Sequence, residues 1–129
     1  MKKYTISLPP DYIKTVFPMG KALCAELRKP ETKQIKEQLK TDEGECCLGV
    51  LCRLQGRLVK RPEGFADVSD LYYLSAFNPL YSLLSYNGSF PELVQVNDDC
   101  HYFDLVELND ADFTFPQIAD IIETIWDCQ

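Results

Sequence analysis

Apolar residues recur at helical spacing in four stretches of this chain and alternate in several others, a mixture that predicts an α+β fold. Tyr4, Ile6 and Leu8 alternate with polar neighbours and stop at Pro9 and Pro10, which predicts a short edge strand or an extended arm. From Asp11 as N-cap, Tyr12, Ile13, Val16, Phe17, Met19, Ala22, Leu23 and Leu27 keep a helical rhythm. The spacing predicts one helix to about Arg28, broken or kinked at Pro18 and ended by Pro30. Residues 31–45 carry only Ile35 and Leu39 as large apolar residues. That fits either a surface helix or an extended segment entering a turn at 42–44, and periodicity does not choose.

Residues 46–54 are almost wholly apolar and are followed by Gly56. A buried strand and a buried helix both fit a run this short. Helix is preferred, because Cys47, Leu48, Val50, Leu51 and Leu54 share one broad face and Gly56 stands where a C-cap glycine would. Residues 58–60 alternate, a turn follows at 62–64, and Tyr72 and Tyr73 favour further strand. Asn78 and Pro79 open a helical pattern through Leu80, Tyr81, Leu83 and Leu84, closed by Asn87 and Gly88. Residues 93–96 and 102–108, separated by the polar Asn97, Asp98 and Asp99, read as a hairpin. The last element is the clearest. Thr114 and Gln117 fit a capping box, and Ile118, Ile121, Ile122, Ile125 and Trp126 make an apolar stripe on a helix to about Asp127. The expected architecture is one domain, residues 1–129, with helices packed on a small antiparallel sheet. Its expected core includes Cys47, Leu48, Val50 and Leu51 together with the four isoleucines.

Composition narrows the class. A chain of 129 residues is of ordinary single-domain size, and 46% hydrophobic content with 26% charge excludes wholesale disorder. No run of 18 apolar residues exists, so no membrane span is expected. The N-terminal stretch lacks the apolar core of a signal peptide, which points to the cytoplasm and makes the six cysteines free thiols, most of them small core hydrophobes. Charge adds a different kind of information. Residues 1–61 hold all 13 basic residues and 7 acidic ones, a net of +6, whereas residues 62–129 hold 13 acidic residues and no basic one, a net of −13. Such asymmetry points to a charged partner, or to two halves that attract each other within one fold.

Candidate chemistry is sparse. Cys46, Cys47, Cys52, Cys100 and His101 are soft metal ligands, but Cys47 and Cys52 lack the two-to-four-residue spacing of a zinc knuckle, so no metal or other cofactor is expected. Cys46 or Cys47 at a helix start would gain nucleophilicity from the dipole, with His101 as the one available imidazole base and Glu45 opposing the thiolate. No catalytic residue is assigned. Asp98, Asp99, Asp104, Glu107, Asp110 and Asp112 crowd one region without the spacing of a metal loop and read as a solvated acidic face, the candidate binding surface. No glycine-rich phosphate loop exists. Between residues 26 and 45 five bases alternate with six acids, which argues against direct nucleic-acid binding. Arg53, Arg57, Lys60 and Arg61 remain as a basic cluster able to meet phosphates or the acidic half.

Two blocks stand out together: Glu45-Cys46-Cys47-Leu48-Gly49-Val50-Leu51-Cys52, and Leu108-Asn109-Asp110 followed by Phe115, Ile118, Ala119, Asp120, Ile122 and Glu123. The pair resembles a family of small proteins encoded by bacteriophages, prophages and some bacteria, with a central CCLGVLC block and a terminal block of LND, F, IAD and IE. Leu27, Lys33, Gln34 and Leu39 resemble its usual lead-in. The resemblance covers residues 20–56 and 105–125; Arg53 departs from a commonly acidic position, and Asp112 and Phe113 from a turn that usually contains glycine. It implies a phage or mobile-element origin rather than a reaction. The expectation is therefore a non-enzymatic protein that binds and modulates a host protein in the host cytoplasm, as a monomer or homodimer. The alternatives are an acidic nucleic-acid mimic, and a small ligand-binding protein or enzyme built on residues 46–52.

Overall fold

The computed structural model describes residues 4–6, 10, 14, 16–17, 19–38, 40–56, 58–61, 64–67, 94–96, 100–101 and 105–128. These form an α+β arrangement of helices and small sheets. The strands are β1 (Thr5–Ile6), β2 (Val16–Phe17), β3 (Lys40–Thr41), β4 (Gly44–Glu45), β5 (Leu58–Arg61), β6 (Gly64–Asp67), β7 (Val94–Val96), β8 (Cys100–His101) and β9 (Asp127–Cys128). The helices are α1 (Gly20–Leu27), α2 (Cys47–Leu54), α3 (Leu105–Asp110) and α4 (Phe115–Ile125). β1, β7 and β8 make one antiparallel sheet, β3–β4 and β5–β6 are antiparallel pairs, and β2 runs parallel to β9.

The first helix is shorter than its rhythm suggested. Val16 and Phe17 are extended and pair with Asp127 and Cys128, and α1 begins only at Gly20. Pro18 explains the difference: it disfavours helical backbone at the residue before it, so Phe17 is extended and drives its ring into the core while Val16 stays exposed. Of the other residues assigned to that helix, Tyr12 and Ile13 lie outside the described residues. In the 31–45 segment the extended alternative holds. The chain makes a bridge between Gln34 and Glu45 and then the β3–β4 hairpin, turning at Asp42 and Glu43.

α2 is helical as expected, and Cys46 caps it by accepting the Gly49 N–H on its sulfur at 3.4 Å. Every residue from Cys47 to Cys52 is buried, so most of this helix is enclosed on all sides rather than amphipathic. Leu54 lies at the core margin, and Gly56 takes the left-handed conformation (φ 68°) that ends the helix. Around α2 the core is built by Leu23, Cys24 and Leu27 of α1, Leu105 and Leu108 of α3, and the isoleucine stripe of α4. α1 packs most extensively on α4, and α2 contacts both α1 and α3.

The hairpin expected across 93–108 is only half present. β7 pairs with β8, but β8 ends at His101, and residues 105–110 form α3 rather than strand. Leu105, Leu108 and Asn109 recur at i, i+3 and i+4, all buried, and this helical face outweighs the strand tendency of its valine. α3 closes with Asp112 left-handed (φ 71°) and the Phe113 N–H bonded to the Leu108 carbonyl at 3.2 Å. This is a Schellman ending in which an aspartate, one of the few residues tolerant of that conformation, does what glycine usually does.

The capping box at α4 is present: the Thr114 hydroxyl accepts from the Gln117 N–H at 3.3 Å, and the Gln117 side chain accepts from the Thr114 N–H at 3.1 Å. Ile118, Ile121, Ile122 and Ile125 are all buried. The helix ends two residues earlier than its stripe suggested. Trp126 turns extended to pack edge-to-face on Phe17 at 5.6 Å, and Asp127 and Cys128 become strand. Tyr72, Tyr73, the helix expected from Asn78 and the loop at 97–99 lie outside the described residues.

With Leu48 and Leu51 each only 1% exposed, truncating Leu51 to alanine leaves a cavity the enclosed helix cannot close. We expect Leu51→Ala to lose about 2–5 kcal/mol in urea denaturation. A loss under about 1 kcal/mol would remove α2 from the centre of the core.

Candidate functional site

Three groups of chemistry-bearing side chains converge around the N-terminus of α2. The first centres on Asn109, completely buried on α3. Its Oδ1 accepts from Gln34 Nε2 at 3.0 Å and from the Cys47 N–H at 3.2 Å, and its Nδ2 donates to the Ile35 carbonyl at 2.8 Å. Gln34 extends the network: Nε2 donates to the Phe113 carbonyl at 2.7 Å, and Oε1 accepts from the Phe115 N–H at 3.1 Å. Two amides thus bind an irregular segment, the free N–H groups at the starts of α2 and α4, and the end of α3. In the sequence Asn109 stood out only within the terminal block of the resemblance and Gln34 only in its lead-in, and neither was assigned a role. The signal for Asn109 was its position on the Leu105 and Leu108 face; nothing local marked Gln34.

The second group is ionic. The nearly buried Glu45 accepts from Arg53 Nε at 2.9 and 3.0 Å, and Arg53 Nη2 donates to Glu26 at 2.9 Å. Glu26 also meets Lys29 at 2.9 Å. Hydrogen bonds from Lys29 and Arg53 hold the Glu26 carboxyl below its ordinary value. Arg53 is therefore turned toward acids of its own half, not offered to phosphates.

The third group is the thiol block. Cys46, Cys47 and Cys52 are buried, and the Cys47 thiol donates to the Leu105 carbonyl at 3.4 Å. Burial pushes the Cys46 thiol up to about 11, against the pull of the Gly49 and Leu48 N–H groups. For Cys46, the helix-terminus activation considered from the sequence is thus outweighed by desolvation. Among the described residues no group of three or more His, Cys, Asp or Glu could hold a metal ion.

Of the six candidate acidic residues, Asp110 and Asp112 have described side chains, and both hold internal partners. Asp110 accepts from the Glu37 N–H at 2.9 Å and from Asn109, which fixes the turn opposite α3. Asp112 pairs with Lys36. Asp98, Asp99 and Asp104 lie outside the described residues, as does the side chain of Glu107. Elsewhere the two halves meet directly. Arg28 bonds to Asp120 at 2.6 Å and to Glu123, and Lys14 donates to the Glu123 carbonyl. The Arg28 hydrogen bond holds the Glu123 carboxyl below its ordinary value. No helix among the described residues is long and apolar enough to cross a membrane.

Comparison with known proteins places no relative beside this chain: no protein-family model matches it, nor does any curated protein or solved structure.

Replacing Asn109 removes the partner of the buried Cys47 N–H and of the Ile35 carbonyl at the core edge. Asn109→Ala should cost about 2–4 kcal/mol in urea denaturation, since each abandoned buried group costs about 1–3 kcal/mol. Asn109→Asp should cost at least as much, because a carboxylate cannot donate to Ile35. Loss under about 0.5 kcal/mol in both would show the network to be dispensable.

Acid should weaken the fold for a related reason. The Glu26 and Glu123 carboxyls lie below the ordinary value of 4.5 in the folded chain, so their contribution is complete above about pH 4.5 and is lost as pH falls through the folded values. Thermal midpoints measured from pH 6 downward should be level and then decline below about pH 4.5, less steeply in Glu26→Gln. An identical profile in that variant would remove Glu26 from the linkage.

Proposed function

We propose that this is a non-enzymatic interaction protein of phage type that binds a host protein and modulates it in the host cytoplasm. The observation that carries the reading is the closure of the thiol block. Cys46, Cys47 and Cys52 are core residues, with the Cys46 and Cys47 sulfurs hydrogen-bonded to main chain, so the part of the chain richest in nucleophiles has no accessible nucleophile to offer. The buried amides and the Glu45–Arg53 pair are likewise spent on holding segments together.

Recognition is then assigned to the surface, and the chain as a whole carries a net charge of −7. Asp110 and Asp112 already serve internal partners, so contact with the host protein is assigned to Asp98, Asp99, Asp104 and Glu107. Clustered carboxylates attract a basic partner over about 10 Å at 0.1 M salt, which acts chiefly on the association rate.

The test is retention of a bacterial host protein from lysate by the tagged full chain, identified by mass spectrometry and followed with the purified partner in a salt series. We expect binding to weaken with salt, and the D98N/D99N/D104N/E107Q variant to associate at least tenfold more slowly with little change in dissociation. Binding that is flat with salt and unchanged in the variant would overturn the acidic-surface reading. Turnover of a substrate by the purified chain would overturn the non-enzymatic one.

A further inference from the structure

One pair of cysteines stands apart from the thiol block. Cys128 on β9 is held beside α1, where β9 runs parallel to β2 with Cys128 opposite Phe17. Its side chain lies over Gly20: a Cβ on that glycine would sit 2.4 Å from the Cys128 sulfur and 3.0 Å from its Cβ. Cys24 follows Gly20 by one helical turn on the same face, and helical side chains lean back toward the N-terminus, so the Cys24 sulfur comes to the same place. The Cys24 thiol, which donates to the Ala119 carbonyl at 3.5 Å, and the Cys128 thiol are near enough to perturb each other's titration. Cys24 is buried and Cys128 only partly so, which orders the pair: a reagent from solvent meets Cys128 first, with Cys24 behind it.

We propose that Cys24 and Cys128 form an oxidisable dithiol, a modification site at which a low-molecular-weight disulfide converts the two thiols into an intrachain disulfide stapling β9 to α1. The Cys128 thiolate attacks one sulfur of the reagent RSSR, forming a mixed disulfide and releasing RS⁻. The Cys24 sulfur, giving up its proton, then attacks the Cys128 sulfur and displaces the second RS⁻. The protein loses two hydrogens, and the reagent leaves as two RSH. Gly20 is what allows this, because any larger residue would occupy the space in which the Cys128 sulfur rests.

The chemistry is slow at neutral pH and speeds up in base. Burial, Glu123 and Asp127 hold the Cys128 thiol above its ordinary value, against Lys14 and the nearby Cys24 thiol, and burial pushes Cys24 up to about 12. Once formed, the bond closes a loop over most of the chain, which restricts the unfolded state far more than the folded one.

The experiment uses the full chain, reduced, freed of reductant and incubated with glutathione disulfide. Peptide mapping by mass spectrometry should find a Cys24–Cys128 cross-link with no retained glutathione. The thermal midpoint should rise by about 10 °C, reversibly with dithiothreitol. Cys128→Ser should keep the reduced midpoint and lose both effects. As a check that does not depend on the variant folding, brief alkylation of the native chain should modify Cys128 before Cys24 and block the cross-link. A stable glutathione adduct at Cys128, a cross-link between other cysteines, or a cross-link without a rise in midpoint would each overturn the proposal.

Discussion

The side-chain amide of Asn109 is the constraint on which the described structure most depends. It sits in the core, where an unpaired amide is expensive, and its contacts reach three separate pieces of chain: Gln34 and Ile35, the first N–H of α2, and, through Gln34, the start of α4. A polar network of this kind stabilises only when complete, because each missing partner leaves another group stranded in low dielectric. The completeness of this one lets an irregular, charged segment run along the edge of an apolar core without leaving main-chain groups unpaired there. Among the described residues no buried side-chain nitrogen or oxygen lacks a partner.

The division of charge acquires a physical meaning only in three dimensions. Arg28, Lys36 and Lys14 reach from the basic half to α4 and the turn before it, so part of the asymmetry is an internal attraction. Exposed pairs of this kind contribute little stability each and act mainly to orient the elements they join. Arg53 goes the other way, neutralising Glu45 and Glu26 within its own half. The acidic excess of residues 62–129 is larger than these pairs neutralise, and that supports the proposal of a basic partner.

The cysteines show how burial sorts one residue type into different roles. In α2 and its cap they are small apolar side chains whose sulfurs also satisfy main-chain groups. Cys24 and Cys128 belong to elements distant in the chain, and the packing of α1 on α4 with the parallel pairing of β2 and β9 brings them together. The same closure seats Trp126 on Phe17, so the carboxyl-terminal strand and the core aromatics are locked by one arrangement.

Local signals were enough wherever a short stretch of sequence decided its own conformation. The capping box at Thr114, the isoleucine stripe of α4, the helical residues 47–54 and the glycine after them could all be read directly, because caps, periodicity and left-handed glycine act within a turn or two. The core residues of α2 and α4 followed from the same patterns. The end of the first helix was legible and its beginning was not, since the effect of Pro18 on Phe17 became decisive only with β9 waiting as a partner. The α3 helix was misread as strand because six residues do not establish a period, and its helical face is chosen by what it packs against. Of the candidate site, the acidic cluster was visible as composition, but the internal use of Asp110 and Asp112 was not. The roles of Asn109 and Gln34, and the meeting of Cys24 with Cys128, were decided by tertiary structure alone, because each depends on groups from opposite ends of the chain whose distance no local pattern encodes.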